Sequence, residues 1–195
     1  MKKIYAFDFD GTLTTKDTLL EFIRFAKGTL AFGLGFLRYA HLLVLMKLGL
    51  YPNWKAKQKV FAHFFKDLTI EDFDAICQAF AASSHHLLRP KGIEAINQAL
   101  SEGSEVLIVS ASIDNWVQPF FAKVKVLGTQ IEVKDGKLTG RFLSKNCYGQ
   151  EKVNRILALY PKRQDYHLTA FGDSNGDKEL LAWADESHFK PFREV

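Results

Sequence analysis

A short apolar stretch near the N-terminus runs directly into two carboxylates, and it constrains the fold more than any other segment. Residues 4–7 read Ile-Tyr-Ala-Phe, and Asp8-Phe9-Asp10-Gly11-Thr12 follows. A short apolar run of this kind predicts a buried β-strand. In open α/β sheets, ligands bind beyond the carboxyl ends of the strands. The sequence therefore predicts that Asp8 and Asp10 lie at a ligand-binding edge of a sheet.

Two carboxylates one residue apart raise each other's pKa unless a cation neutralises them. The pair therefore predicts a hard metal ion such as Mg²⁺, or a carboxyl group that stays protonated. One acid could bind Mg²⁺ and act as nucleophile, while the other serves as general acid and base. Gly11 allows a tight turn beside a ligand, and Thr12 adds a hydroxyl. The alternative is a strand followed by an ordinary Asp-Gly turn, and this stretch alone leaves both interpretations open.

The composition is that of a soluble globular protein, large enough for one core domain with an inserted subdomain. Of the 195 residues, 47% are hydrophobic and 25% are charged. The formal net charge of +4 suits an anionic ligand, but without a nucleic-acid motif we expect no nucleic-acid partner. The N-terminus lacks the apolar region of a secretory signal, and Cys77 and Cys147 form no disulfide framework. We therefore expect a cytoplasmic protein.

Residues 15–88 read as helical almost throughout. Apolar residues recur at helical spacing in four segments. The first helix ends at Gly28, and the other three cover residues 31–50, 54–67 and 70–88. An all-helical block between two strands of one sheet suggests an inserted cap. We therefore expect a core domain of residues 1–14 and 89–195 and a cap subdomain of residues 15–88, which would lie over the strand end that carries Asp8.

Residues 31–46 form the most apolar segment of the chain. A membrane-spanning helix needs about 20 mostly apolar residues, and Arg38, His41 and Lys47 interrupt this one. The first interpretation is a cap helix packed on its neighbours. The alternative is contact with lipid or with a membrane surface, which would make the protein peripheral to the inner membrane.

Two further predicted strands end in polar residues. Residues 105–109 predict a buried strand that ends at Ser110-Ala111-Ser112, where small residues can offer N–H groups and a hydroxyl to a phosphate. Residues 166–171 predict another strand, which runs into Gly172-Asp173-Ser174-Asn175-Gly176-Asp177. Asp173 could complete a metal site with the first acid pair, and Asp177 could support that site.

The other predicted elements are a helix over residues 92–102, a hairpin with an Asp-Gly turn within residues 131–142, a helix over residues 150–159 and a strand over residues 187–192. Lys152 lies in the first turn of its helix, where the macrodipole disfavours a cation. This placement indicates that Lys152 faces an anion, with a solvated surface lysine as the alternative.

The order and spacing of these motifs resemble the haloacid dehalogenase superfamily of phosphotransferases, in subfamily IB, whose cap follows the first strand. Residues 8–12 resemble the first motif of that superfamily, Ser110 the second, Lys152 the third and residues 172–177 the fourth. The resemblance covers nearly the whole chain. It implies an α/β fold, a Rossmann-like core with a parallel sheet and an inserted helical cap of the C1 type.

The resemblance also implies a role for each motif residue. Asp8 would attack phosphorus and become an aspartyl phosphate, and Asp10 would act as general acid and base. Mg²⁺ would be bound by Asp8, the backbone carbonyl of Asp10 and Asp173, with Asp177 in support. The phosphoryl oxygens would be bound by residues of three motifs, Gly11, Thr12, Ser110, Ala111 and Lys152.

The resemblance leaves two substrate classes open, a small phosphate ester and a lipid-derived phosphate. Phosphoserine phosphatases share the cap location, the hairpin and an acid near Asp17, where their amine-binding Glu lies. This chain departs from them in Ser110-Ala111-Ser112, in Gly176 and in lacking a clearly aligned cap Arg, for which Lys57 and Lys59 are nearby candidates.

The Ser-Ala-Ser motif, residues 146–149 and the apolar cap resemble instead the neighbouring branch that includes phosphatidylglycerophosphate phosphatase C. A non-catalytic phosphoryl-binding protein is a third alternative, and the intact Asp10 argues against it. The sequence indicates no particular oligomeric state.

Overall fold

Five parallel strands form the central sheet of the computed structural model, which describes residues 1–193. The strands are β1 (Lys2–Phe7), β2 (Glu105–Ile113), β3 (Lys125–Thr129), β6 (Tyr166–Gly172) and β7 (Glu186–Phe189). They lie in the order β3-β2-β1-β6-β7, and every neighbouring pair is parallel. A separate antiparallel hairpin consists of β4 (Ile131–Lys134) and β5 (Lys137–Phe142). The predicted α/β class with a parallel sheet is confirmed.

The helices within the described residues are α1 (Thr18–Lys47), α2 (Asn53–Phe65), α3 (Ile70–Ser83), α4 (Pro90–Ser101), α5 (Asp114–Val117), α6 (Gln150–Leu159) and α7 (Lys178–Trp183). α1 breaks at Gly28, whose φ of 80° and ψ of 163° are not helical. Glycine adopts such a backbone without the steric cost of a Cβ. The predicted helix boundary at Gly28 is therefore a break within one long element.

Several element ends differ from the prediction. β2 continues through Ser110-Ala111-Ser112 to Ile113, although its register with β3 shifts between Val109 and Ile113. α3 ends at Ser83 and is followed by a 3₁₀ turn instead of continuing to residue 88. β7 ends at Phe189, because Lys190 has a φ of 55° and Pro191 has no N–H to donate. β3 was not predicted as a separate sheet strand.

Both faces of the sheet are buried. Ile4 and Ala6 of β1 are fully buried in one apolar cluster together with residues of α6 and α7. Phe7 lies in a second cluster on the opposite face, with residues of α4 and of the helices between β1 and β2. Successive side chains of a strand point to opposite faces, so one short apolar run serves both clusters. This is why β1 reads as continuously hydrophobic.

The strand register brings three of the predicted motifs to one edge of the sheet. Phe7 is paired with Ile108 of β2 and with Phe171 of β6. Asp8, Ser110 and Asp173 follow these paired residues within two positions. Because the strands are parallel, their carboxyl ends meet at the same edge.

The β4–β5 hairpin bonds to the helical block rather than to the central sheet. Asp67 N donates to Leu138 O over 2.8 Å, and Leu138 N donates to Leu68 O over 2.9 Å. Phe142 N donates to Gln58 Oε1 over 2.9 Å. The hairpin therefore holds α2 in place. The division into a core of residues 1–14 and 89–195 and a cap of residues 15–88 stays a prediction, and residues 194 and 195 lie outside the described residues.

Candidate active site

Asp8 lies directly after β1 and is almost completely buried. Its backbone N–H donates to Phe171 O of β6 over 2.9 Å, which fixes the turn at the strand end. Asp8 Oδ2 accepts a hydrogen bond from Thr12 Oγ1 at 2.9 Å, and Asp8 Oδ1 accepts one from Lys152 Nζ at 2.6 Å. Burial raises the pKa of the Asp8 carboxyl to about 7, although Lys152 opposes the shift.

Lys152 is a fully buried cation between two carboxylates. It enters from the first turn of α6, and Nζ lies 2.6 Å from both Asp8 Oδ1 and Asp177 Oδ1. Burial acts to lower the pKa of this ammonium, but Asp8 and Asp177 together raise the pKa above its usual range. In return, Lys152 holds the pKa of Asp177 below its usual value in spite of burial. The structure thus brings Lys152 to the acids, as the unfavourable helix position suggested.

Asp10 is held by donors from two distant segments. Thr18 donates to Asp10 Oδ1 through both its backbone N (2.7 Å) and its hydroxyl (2.6 Å). Ser112 Oγ donates to Asp10 Oδ2 over 2.5 Å. Trp116 Nε1 in turn donates to Thr18 Oγ1 over 3.2 Å. Both carboxylate oxygens of Asp10 are therefore fixed in direction.

Three carboxylates gather at the strand edge. Asp8, Asp173 and Asp177 each offer an oxygen, and these oxygens lie within 4.8 Å of one another. Asp177 Oδ2 already accepts from the backbone N–H groups of Asp173 (3.1 Å) and Ser174 (3.0 Å). The other oxygen, Asp177 Oδ1, accepts a hydrogen bond from Lys152. Because both of its oxygens already have partners, Asp177 is better placed to support the site than to bind a metal ion directly. This all-oxygen donor set suits a hard cation such as Mg²⁺.

Asp173 has one further partner. Arg193 donates to Asp173 Oδ2 over 2.6 Å, and its side chain is 44% exposed. The neighbouring Phe192 ring stacks on Phe7 and Phe171 at centroid distances of 6.3 and 5.5 Å. Partial burial nevertheless raises the pKa of Asp173.

Four of the five predicted phosphate-binding residues, all except Thr12, line the same space. Gly11 has a φ of 81°, and a Cβ at this position would collide with the Asp173 carboxylate. Ser110 is buried, and its Oγ accepts the Ser112 backbone N–H at 3.0 Å. Ala111 O accepts Lys57 Nζ at 2.6 Å. The backbone of β2 beyond Val109 therefore faces the acids.

These groups surround a cavity of about 540 Å³. One wall carries the acids and Lys152. Another part of the lining, which we call the apolar wall, consists of apolar side chains from the helical block, and these are Leu19, Leu20, Phe36, Leu43, Met46 and Val60. The apolar segment of residues 31–46 therefore contributes directly to the site.

The three predicted specificity residues have different positions. Asp17 and Lys57 both line the cavity. Burial and the nearby Asp10 raise the pKa of Asp17, whereas burial lowers the pKa of Lys57. Lys59 is exposed, and its Nζ lies over the Tyr51 ring, 5.6 Å from the centroid. Residues two apart on a helix point in different directions, so the structure brings Lys57 to the site and Lys59 away from it.

Sequence reasoning missed the residues that orient Asp10. Neither Thr18 nor Trp116 was singled out, and Ser112 was named only as part of its motif. The one usable signal was the Ser-x-Ser pattern, because successive even positions of a strand share a face. Trp116 and Thr18 lie 98 residues apart in the chain, and no local pattern connects them.

The chain resembles known proteins over nearly its whole length. The family model for haloacid dehalogenase-like hydrolases matches residues 5–182. Protein CicA of Caulobacter vibrioides (strain NA1000 / CB15N) is 34% identical over 196 residues, which cover 97% of this chain and 86% of that protein.

Solved structures share the fold. A protein of unknown function from Bordetella pertussis Tohama I is 19% identical, with a TM-score of 0.82 over 96% of this chain and 89% of its own. A substrate-bound phosphoserine phosphatase is 22% identical, with a TM-score of 0.63 over 97% of this chain and 86% of its own. The family match spans all four motifs, so the chain belongs to the haloacid dehalogenase-like hydrolases and is an enzyme of that family.

Proposed function

We propose that this protein is a Mg²⁺-dependent phosphomonoester hydrolase that works through an aspartyl phosphate on Asp8. The observation that supports this most directly is the pairing of a buried Asp8 with Lys152, beside an Asp10 whose two oxygens are held by Thr18 and Ser112. Fixed charges beside a fixed nucleophile are what phosphoryl transfer needs, because catalysis there rests on positioning and charge neutralisation.

In the first half-reaction, an oxygen of Asp8 attacks phosphorus and the bond from phosphorus to the leaving oxygen breaks. Asp10 transfers a proton to that oxygen. In the second half-reaction, Asp10 takes a proton from a water molecule that attacks the same phosphorus. The bond between phosphorus and Asp8 then breaks, phosphate leaves and the Asp8 carboxylate is restored.

The chain's own residues supply the remaining requirements. Ser110, Lys152 and the backbone around Gly11 and Ala111 would bind the phosphoryl oxygens. Asp8, the Asp10 carbonyl and Asp173 would hold Mg²⁺, which supplies charge neutralisation at the phosphoryl group. Burial raises the pKa of Asp8 in spite of Lys152, so a second cation beside Asp8 would favour its ionised form, which is the nucleophile.

A small phosphate ester such as phosphoserine is the first substrate that we propose. Asp17 and Lys57 line the cavity with opposite charges, which would suit an amine and a carboxylate on the leaving group. A solved phosphoserine phosphatase with bound substrate shares the fold. With such a substrate the protein would work in the cytoplasm.

A lipid-derived phosphate, with contact between the cap and a membrane surface, is the second candidate. The apolar wall formed by α1 and α2 supports it, because Phe36, Leu43 and Met46 offer no polar group to a small charged metabolite. An acyl or alkyl chain would bury this wall, and each apolar Å² removed from water contributes roughly 25 cal/mol.

The test is phosphate release with and without Mg²⁺ from a panel that pairs phosphoserine and other small esters with phosphatidylglycerophosphate and lysophosphatidate. We expect Mg²⁺-dependent release that Asp8→Asn abolishes while the fold is kept. Asp165→Asn is the matched control, because Asp165 is an exposed carboxylate outside the site. Activity of Asp8→Asn near that of the unmodified protein would refute the nucleophile assignment. Preference for the lipids would favour the second candidate.

A further inference from the structure

The second half of α1 is apolar on two opposite faces, but only one of them is turned towards the rest of the protein. Phe36, Leu43 and Met46 face the catalytic cavity. On the other side lies a row that we call the outer stripe, made of Leu30, Leu34, Leu37, Val44 and Leu45. These five side chains are 79%, 62%, 73%, 58% and 37% exposed.

The outer stripe is continuous along the helix. Its first four members follow one another at intervals of four, three and seven residues, and Leu45 comes eight residues after Leu37, so all five lie on one broad face of the α-helix. His41, also exposed, occupies the position between Leu37 and Val44. In the most apolar 18-residue window of this helix, only 6% of the residues are buried. A helix that is hydrophobic all round is normally covered by protein or lipid.

The charge distribution indicates that lipid, and not another protein, covers the outer stripe. Residues 22–66 contain eight Lys and Arg and no Asp or Glu. The whole chain has 26 Lys and Arg against 22 Asp and Glu, so the remainder carries a formal charge of −4 while this segment carries +8. Such a segregated positive charge beside an apolar stripe matches the surface of a membrane with anionic lipids.

The surroundings of the stripe have the same character. Arg38 is exposed next to Leu37, and the turn after α1 carries Leu50, which is 72% exposed. An exposed cation beside exposed apolar side chains suits the boundary between headgroups and acyl chains.

The contacts between α1 and α2 indicate how α1 is oriented relative to the membrane. Tyr39 and His63 pack edge to face at 5.4 Å, and a Cβ at Gly35 would collide with the Phe64 ring. A helix that crossed the bilayer would lose these contacts with α2 and expose the catalytic cavity to lipid. Residues 29–46 span about 27 Å, and with Arg38 and His41 midway they suit the interface better than the bilayer centre.

We infer that the outer stripe docks α1 in the plane of an anionic membrane, with the exposed Arg38 against the lipid headgroups. This inference deepens the second candidate function, to which the membrane contact belongs, but the docking itself does not require hydrolysis. Docking would hold the cavity, whose apolar wall comes from the same helix, next to the bilayer surface.

The experiment is co-sedimentation of the full chain with vesicles, without Mg²⁺ or substrate. Vesicles of phosphatidylcholine are compared with vesicles of equal parts phosphatidylcholine and phosphatidylglycerol. We expect binding to the anionic vesicles that falls when ionic strength rises from about 0.1 M to about 1 M, because the Debye length shortens from about 10 Å to about 3 Å.

Three variants identify the surface. Leu34→Gln with Leu37→Gln should weaken binding more than tenfold, since each exposed leucine loses its burial in lipid. Arg38→Gln should weaken it about fivefold. Leu143→Gln is the matched control, because Leu143 is 67% exposed but lies outside α1, and it should bind as the unmodified protein does. Asp8→Asn should also bind normally, which separates failure of docking from failure of the proposed catalysis.

Four results would overturn the inference. These are no binding to either vesicle, equal binding to neutral and anionic vesicles, and binding that survives both high salt and alkaline extraction, which would indicate a spanning helix. The fourth is a dimer in sedimentation velocity that the Leu34 and Leu37 pair of substitutions dissociates, which would assign the outer stripe to a second copy of the chain.

Discussion

Replacing Lys152 with Met keeps the length of the side chain but removes the one ammonium hydrogen-bonded to both Asp8 and Asp177 among the described residues. All three side chains are at least 90% buried. Removing one member of a buried ion pair typically costs about 3–5 kcal/mol, because the remaining charge stays desolvated. Asp8 can limit this loss by taking up a proton, since burial already raises its pKa to about 7. We therefore expect Lys152→Met to lower the free energy of unfolding by about 3 kcal/mol at pH 7, the lower end of this range.

The pH dependence of this loss follows from Asp177. Lys152 holds the pKa of Asp177 below its usual value, so the stability from this carboxylate is present above the ordinary pKa of about 3.9 and is lost as pH falls through the lower, folded-state pKa. The variant lacks the cation and has no such contribution to lose. The difference between the two proteins should therefore narrow below about pH 4 through Asp177, and it should already begin to narrow as pH falls below about 7, because Asp8 takes up a proton there.

The assay is urea unfolding of both proteins, without divalent cations, over a range of pH. With a urea m-value of about 2–3 kcal/mol/M, the midpoint should fall by about 1–2 M. Lys178→Met is the control, because Lys178 is an exposed lysine on α7, and its midpoint should hardly change. A loss below about 1 kcal/mol at pH 7, or a loss independent of pH, would refute the account of a buried charge network.

Two further substitutions test the proposed metal-binding role of Asp173. Gly11→Ala should abolish Mg²⁺-dependent phosphate release, because its Cβ would displace Asp173, whereas Gly103→Ala should keep the activity, since Gly103 has a similar φ of 73° but open space around it. Arg193→Gln should strengthen Mg²⁺ binding, measured by calorimetry, because its guanidinium now occupies Asp173 Oδ2.

The outcomes that contradict these expectations are simple to observe. Equal activities of the two alanine variants would contradict the role of the collision with Asp173, because the two positions share a similar positive φ and differ in that contact. Unchanged or weaker Mg²⁺ binding by Arg193→Gln would mean that Arg193 orients Asp173 for the cation instead of competing with it.

Much of the cluster of carboxylates at the strand ends could be predicted, because the sequence patterns that indicate it are local. An apolar run that stops at Asp8-Phe9-Asp10 gives a strand end, and parallel strands place their ends together. Lys152 was identified by its unfavourable position at a helix N-terminus. The family resemblance then assigned roles to residues that local patterns had already marked.

The rest depended on contacts between distant segments. Ser112 reaches Asp10 across 102 residues of sequence, and β3 is a five-residue strand whose pattern did not separate it from the following hairpin. The apolar segment of residues 31–46 was expected to pack on its neighbours or to face lipid. Only one face of that helix is turned towards the protein, where it packs on α2 and lines the cavity, and the opposite face is exposed.

The most direct test of the proposed mechanism is acid quenching of Asp10→Asn during turnover with Mg²⁺ and a substrate found in the panel, followed by mass-spectrometric mapping of the phosphoryl group. Asp10 would act in both half-reactions, so this variant should form the intermediate slowly, but it also lacks the base that activates the hydrolysing water, and acid quenching should trap the phosphate that remains on the enzyme. The account predicts phosphate on the peptide that contains Asp8 and on no other peptide. Phosphate release without any phosphorylated Asp8, under conditions where the variant still turns over, would contradict it.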